Sequence, residues 1–153
     1  MTIDVGATAP LFTLPTDGGG KVDLAGLSGK KVVVYFYPKA DTSACTKEAI
    51  EFSRAKADFA AANTVVIGVS GDAVKALDKF RDKYTLDVTL ASADQAMFEA
   101  WGVWVEKSMY GKKYMGLERA TFLVGADGRI AKAWRKVKVE GHVADVLAAA
   151  KAA

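Results

Sequence analysis

The 153-residue chain contains one cysteine, one histidine and three prolines, and each scarcity removes a class of chemistry. With Cys45 as the lone cysteine there is no internal disulfide, no Cys-x-x-Cys redox pair and no cysteine-rich zinc site, and with His142 as the lone histidine there is no two-histidine metal cluster. The longest unbroken apolar run, Val32 to Tyr37, falls far short of the ~20 residues that span a bilayer. The opening Met1-Thr2-Ile3-Asp4-Val5 lacks the basic and apolar regions of a secretory signal, so a soluble, cytoplasmic protein with no membrane partner is predicted. Excess charge is also scarce. Lys and Arg number 21 against 18 Asp and Glu, interleaved along the chain for a net +3, too weak a bias to argue for a nucleic-acid partner. The denser basic spots, Lys112-Lys113 and Arg135-Lys136-Val137-Lys138-Val139, read as solvated edges, the second alternating as one charged face of a strand. No repeat is visible, and the only biased segments are the Asp17-Gly18-Gly19-Gly20 turn and the alanine-rich tail, so residues 1–153 read as a single domain.

What the chain does have is the material of a core. Apolar residues make up 51% and aromatics 10% of the sequence, and a chain of this length buries roughly two thirds of its unfolded surface without staples. Lys31 to Tyr37 reads as a buried strand stopped by Pro38, which cannot donate to a ladder. Asp41, Thr42 and Ser43 are all good helix caps, and Ala49, Phe52, Ala55 and Phe59 follow at helical spacing. A second buried strand spans Thr64 to Ser70. A helix from Asp72 to about Tyr84 leads to a short strand around Asp87 to Ala91, and a short helix covers Gln95 to Trp101. Val103 to Leu117 reads as irregular. Arg119 to Val124 and Arg129 to Val139 flank a hairpin turn with Asp127-Gly128 at its tip, and Val143 to Lys151 forms the last helix. Phe12-Thr13-Leu14 and Lys21 to Leu24 add an N-terminal hairpin. Strands alternating with helices predict an α/β domain with a central mixed sheet and helices on both faces.

Cys45 falls just after the turn from the first buried strand into its helix. There, free backbone N–H groups and the positive end of the helix dipole favour thiolate over thiol. Pro38, Thr42 and Cys45 form a Pro-x-x-x-Thr-x-x-Cys constellation. A hydroxyl one helical turn before a thiolate can hydrogen-bond a small polar ligand on the sulfur, and the proline ring can screen the site from water. Trp101, Trp104 and Trp134 read as packing residues, with Trp104 in the stretch that could border a pocket. His142, at the start of the last helix, has no partner for a Cys-His hydrolase and reads as structural.

The segment Tyr35-Phe36-Tyr37-Pro38-Lys39-Ala40-Asp41-Thr42-Ser43-Ala44-Cys45-Thr46-Lys47-Glu48 resembles the active-site segment of peroxiredoxins, in particular the peroxiredoxin Q or bacterioferritin comigratory protein group. Ile67 to Ser70, Met109 to Lys112, Gly116 to Leu123 and Trp134 to His142 resemble segments of that group in the same order. The resemblance implies a thioredoxin-like fold, reduction of hydrogen peroxide and organic hydroperoxides, and no metal or organic cofactor. It carries over Cys45 as the peroxidatic cysteine, Thr42 as the hydroxyl that polarises the peroxide, Pro38 as the shield and Arg119 as the cation beside the thiolate. The physical reading of Arg119 agrees, since a central strand beginning there could deliver a permanently charged fork of donors to the sulfur. Glu48, three residues after Cys45, either orients that arginine from the substrate pocket or stands exposed on its helix.

Two departures from the group's pattern bear on function. Ser43-Ala44 stands where Pro-Gly is common, which leaves the backbone less constrained and allows the cap to move to Ser43. The resolving cysteine is missing, with Ile50 and Arg81 at the two positions the group uses. This resembles a one-cysteine peroxiredoxin, whose sulfenic acid an external thiol must resolve: thioredoxin, glutaredoxin or a small thiol. A monomer or weak dimer is expected. The alternative reading is a non-catalytic thioredoxin-like binding module or thiol redox sensor, since fold alone does not establish activity.

Overall fold

The computed structural model describes residues 3–153, so the first two residues of the opening segment lie outside it. Its centre is a five-stranded mixed sheet built from β3 (Lys31–Phe36), β4 (Thr64–Ser70), β5 (Thr89–Ser92), β8 (Ala120–Val124) and β9 (Ile130–Trp134), in the order β5-β4-β3-β8-β9. Strand β3 pairs in parallel with β4 and antiparallel with β8. A separate hairpin of β1 (Thr13–Pro15) and β2 (Lys21–Asp23) stands where the N-terminal hairpin is predicted. The helices are α1 (Ser43–Arg54), α2 (Lys56–Ala61), α3 (Val74–Tyr84), α4 (Gln95–Ala100) and α5 (His142–Ala152).

Because successive side chains on a strand point to opposite faces, β3 feeds two cores. Val32, Val34 and Phe36 join Ile67, Phe122, Phe98 and Trp101 on the α4 side. Val33, Tyr35 and Tyr37 join Cys45, Phe52, Phe59, Leu77 and Phe80, which brings α1, α2 and α3 onto the other face together with Val143 and Val146 of α5. Tyr35 stacks on Phe52 with ring centroids 4.4 Å apart, and it lies across Gly68 of the neighbouring strand. A Cβ at Gly68 would sit 2.6 Å from the tyrosine ring, so only glycine lets the two strands and this ring coexist.

Four expectations need correction. The stretch Val103 to Leu117 is not irregular but forms a second hairpin, β6 (Trp104–Met109) and β7 (Lys112–Leu117). Its two-residue loop puts both Tyr110 (φ 52°) and Gly111 (φ 80°) in the left-handed region, the conformation that joins right-twisted strands tightly. The last strand ends at Trp134 rather than Val139. Lys136 turns the chain with φ 48°, and the Val137 N–H donates to the Arg119 carbonyl, so the basic stretch leaves the ladder instead of presenting a charged face. The helical pattern through Phe59 is two helices, joined at Ala55 (φ −91°, ψ 0°), whose N–H is shared among carbonyls of the preceding turn. The cap of α1 stays at Thr42, with extended backbone, and Ser43 is the first helical residue. Among the described residues no helix is long and apolar enough to cross a membrane.

Candidate active site

The site grows from the junction of β3 and α1. Pro38 lies exposed just past the end of β3, and the chain turns through Asp41, whose φ of 62° is uncommon for a residue with a side chain. Thr42 caps α1 through its backbone: its carbonyl accepts the first helical bond, from Thr46 N–H at 2.8 Å. Its hydroxyl donates back to the Lys39 carbonyl at 2.9 Å, which folds the loop on itself and leaves the lone pairs of that oxygen as acceptors. Cys45 is the third residue of α1, ahead of that first helical bond, so its own N–H belongs to the free donors of the helix start. Cys45 is only 1% exposed.

Arg119 arrives from across the sheet. The register pairs Phe36 of β3 with Ala120 of β8, so the residue before β8 lies beside the end of β3, where the loop to α1 begins. Its guanidinium donates from Nη2 to Cys45 Sγ at 3.2 Å and from Nη1 to Glu48 Oε1 at 2.8 Å. One planar fork therefore spans two residues that α1 places one turn apart. Burial alone would lower the arginine's pKa, but the nearby Glu48 carboxylate and the sulfur outweigh it and leave it raised. Glu48 is fully buried, and its Oε2 has no hydrogen-bond partner. Burial pushes its pKa up to about 7 against the pull of Arg119. Of the two readings of Glu48, the exposed helical carboxylate is excluded and the arginine-orienting one fits.

The remaining sequence candidates separate cleanly. His142 is buried, its Nε2 lies 2.8 Å from Thr121 Oγ1, and its ring packs edge-on against Phe52 and Trp134. Trp101 is fully buried, and Trp104 stacks on Phe98. Two residues absent from the sequence reading border the site. Lys107 of β6 is half-buried, and its pKa is lowered by burial first and by Arg119 second, with Cys45 among the charges that oppose the shift. Asp72 accepts from the backbone N–H of Ala40, in the loop ahead of Cys45, at 2.8 Å. The Tyr110-Gly111 pair was the one signal that could have located Lys107, since it makes the flanking segments a hairpin. Nothing in the spacing of Asp72 announces its partner.

A helix-start sulfur gripped by an arginine from the opposite strand is an arrangement for attack by a thiolate on a small electrophile, and the matches to known proteins agree. Residues 5–133 match the AhpC/TSA family. The chain belongs to that family. The bcp peroxiredoxin of Coxiella burnetii is 51% identical, with 96% of this chain and 98% of that one aligned. Peroxiredoxin Bcp of Bacillus subtilis is 45% identical over 96% and 94% of the two chains. Among solved structures, Xanthomonas campestris peroxiredoxin Q superposes with a TM-score of 0.88 at 43% identity, covering 92% of this chain and 90% of that one. A PrxQ mutant from Xylella fastidiosa superposes with a TM-score of 0.93 at 36% identity, covering 99% and 98%. The protein is thus a thioredoxin-like peroxiredoxin of the Bcp group and a thiol-dependent peroxidase, in its one-cysteine form.

Proposed function

We propose that this peroxiredoxin reduces hydrogen peroxide and organic hydroperoxides at Cys45, with Thr42 and Arg119 as its catalytic partners, and hands the oxidised sulfur to a thiol from outside the chain. The Cys45 thiolate attacks one peroxide oxygen in line with the O–O bond. The S–O bond forms as the O–O bond breaks, the sulfur is oxidised to sulfenic acid, and the leaving hydroxide or alkoxide takes up a proton. The transition state places growing negative charge on the two oxygens, within reach of the Arg119 fork and the free N–H of Cys45. The Thr42 oxygen, its own proton committed to Lys39, accepts the hydrogen bond of the peroxide O–H. Glu48 holds the guanidinium in plane, and Pro38 stands between the loop and bulk water. The observation that carries this reading is the single guanidinium bonded to both Cys45 and Glu48.

Because Cys45 is the only cysteine, the sulfenic acid has no internal partner. An incoming thiol condenses with it to a mixed disulfide and releases water, and a second thiol then frees Cys45 as a disulfide of the reductant forms. Thioredoxin, glutaredoxin or a small thiol fits that role, and the requirement for a reducing thiol pool supports a cytoplasmic setting. The Xanthomonas campestris relative is described as having alkyl peroxide reduction activity, which supports organic hydroperoxides as substrates here. Residues 1–153 act as one domain, working as a monomer or weak dimer with no nucleic acid or membrane partner. The test is single-turnover oxidation followed by intact-mass analysis. Peroxide alone should add one oxygen and then, in excess, a second and third; added small thiol should convert the first product to a mixed disulfide and sustain turnover. Cys45 left unoxidised by peroxide would return the protein to the binding-module reading.

A further inference from the structure

The proposed reaction releases a hydroxide or alkoxide that must take up a proton, and the groups placed so far around the sulfur are poorly suited to supply one. Arg119 steadies negative charge but does not lose its proton. The Thr42 hydroxyl already donates to the Lys39 carbonyl at 2.9 Å, and Glu48 is fully buried, its Oε1 accepting from Arg119 Nη1 at 2.8 Å. Lys107 is placed differently. The β6–β7 register sets Lys107 opposite Tyr114 and Val105 opposite Gly116, so these four residues share one face of the hairpin. The lysine stem runs back over Gly116, towards the end of β7, from which the chain passes through Glu118 to Arg119. A Cβ at position 116 would stand 3.2 Å from Lys107 Cδ and 3.5 Å from Cε, so the bare glycine leaves this course open.

The carboxylates near Lys107 are engaged elsewhere. Glu106, on the other face of the hairpin, pairs with Lys113 at 3.6 Å, and Glu118 pairs with Arg135 at 3.4 Å, so neither forms an ion pair with Lys107. The half-buried ammonium is instead within the field of the reacting group: burial lowers its pKa first and the Arg119 charge second, against the opposing pull of Glu118 and Cys45. A shift in that direction makes a lysine a readier proton donor. We infer that Lys107 is a further catalytic residue, whose ammonium gives its proton to the leaving oxygen as the O–O bond breaks. The Cys45 thiolate forms the S–O bond, and the peroxide's own hydrogen stays on the oxygen that joins the sulfur. The electron pair of the O–O bond goes to the leaving oxygen, and the proton from Lys107 Nζ turns it into water or an alcohol. The neutral amine then takes a proton back from solvent. This inference rests on the peroxidase reading above and adds to it the source of that proton.

Oxidants that differ in how much their leaving group needs a proton test this on the full chain, with the rate of Cys45 oxidation followed by single-turnover intact-mass analysis. Hydrogen peroxide and tert-butyl hydroperoxide release a basic hydroxide or alkoxide, whereas peracetic acid releases acetate, which is stable without a proton. Lys107→Met should slow oxidation by the first two about 10²-fold, the lower end of the range for general acid catalysis, and leave peracetic acid within about twofold of its rate with the unmodified protein. Lys107→Arg keeps the positive charge but holds its proton, so it should show the same selective loss. A role confined to charge or to structure would slow all three oxidants together and would let arginine restore the rate. Equal slowing with all three, no slowing with any, or full recovery of the tert-butyl hydroperoxide rate in Lys107→Arg therefore overturns the inference. An unmodified protein that none of the three oxidises would instead strike the peroxidase reading, so the two failures are distinguishable.

Discussion

Strand β8 and the residue before it supply two buried polar clusters from one face, and the two have opposite electrical character. Arg119 reaches Cys45 and Glu48 of α1, while Thr121, two residues on, meets His142 of α5. The first cluster keeps its charge by pairing it, since a guanidinium cannot lose its proton and an unpaired one would be severely penalised by burial. The second avoids charge altogether: burial lowers the His142 pKa to about 4, with Arg119 adding to the effect, so the imidazole is neutral at physiological pH. The reactive cluster also leaves a buried carboxylate oxygen of Glu48 without a partner, whereas the structural cluster pairs the histidine with a hydroxyl and two aromatic edges. Two side chains of one face, about one strand repeat apart, thus solve burial differently, one by pairing a permanent charge and the other by staying neutral.

The largest effect expected is from Cys45→Ser, which should abolish peroxide reduction while leaving the circular dichroism spectrum unchanged. Turnover near that of the unmodified protein would place the chemistry outside the charged cluster. Arg119→Ala should come next, lowering kcat/KM about 10²- to 10³-fold, the range for removing a donor from developing negative charge. The loss should persist at alkaline pH. Full recovery there would reduce Arg119 to an aid for ionising the sulfur and deny it a role at the leaving oxygen.

The contrast also has a pH signature. The Glu48 pKa rises from 4.5 to about 7 on folding, so between those values the folded chain holds more protons than the unfolded one, and stability from this group falls as pH rises. The His142 pKa drops from 6.5 to about 4, so there the unfolded chain holds more protons, and stability from this group falls as pH falls. Each amounts to on the order of 3 kcal/mol across its window, and over their overlap the two slopes oppose each other. Glu48→Gln should therefore leave a stability that climbs with pH across the window, and His142→Leu one that declines, as read by urea denaturation at a series of pH values. Equal slopes in the two variants would erase the proposed difference between the clusters. The smallest effect belongs to Thr121→Val, which leaves His142 Nε2 unpaired and should destabilise by about 1–2 kcal/mol with activity retained. A loss of activity instead would mean that the two clusters work as one.

The parts of the fold that were legible are those whose side chains alternate between two dry faces. Lys31 to Phe36 and Thr64 to Ser70 stand out because their β-branched and aromatic runs are buried on both sides of the sheet. Strands β6 and β7 escaped because that pattern is broken by Glu106, Lys107, Lys112 and Lys113, and because much of the hairpin is exposed, as at Met109, Tyr114 and Met115. Ala55 interrupts a helix without any Pro or Gly to mark it. In the site, Cys45 and Thr42 were readable as a local spacing, but Arg119 is 74 residues from Cys45, and only the antiparallel register of β3 and β8 brings them together. The family resemblance supplied that link in advance. Lys107 and Asp72 depend on a hairpin and a loop whose conformations no periodicity encodes.

The double duty of β3 governs how long each part of the molecule stays shut. With partners on both edges and side chains in both cores, its amides are released only when the whole domain unfolds, so Val33 to Phe36 should be among the slowest to exchange with deuterated water. The tip of the β6–β7 hairpin, where Tyr110 is 99% exposed, belongs at the fast end of that scale. Cys45 is tethered by a short loop to the slowest strand yet lies in the first turn of its helix, where opening is local. The sulfur can thus be uncovered and covered many times within the lifetime of a single folded molecule, while the strand beneath it never lets go.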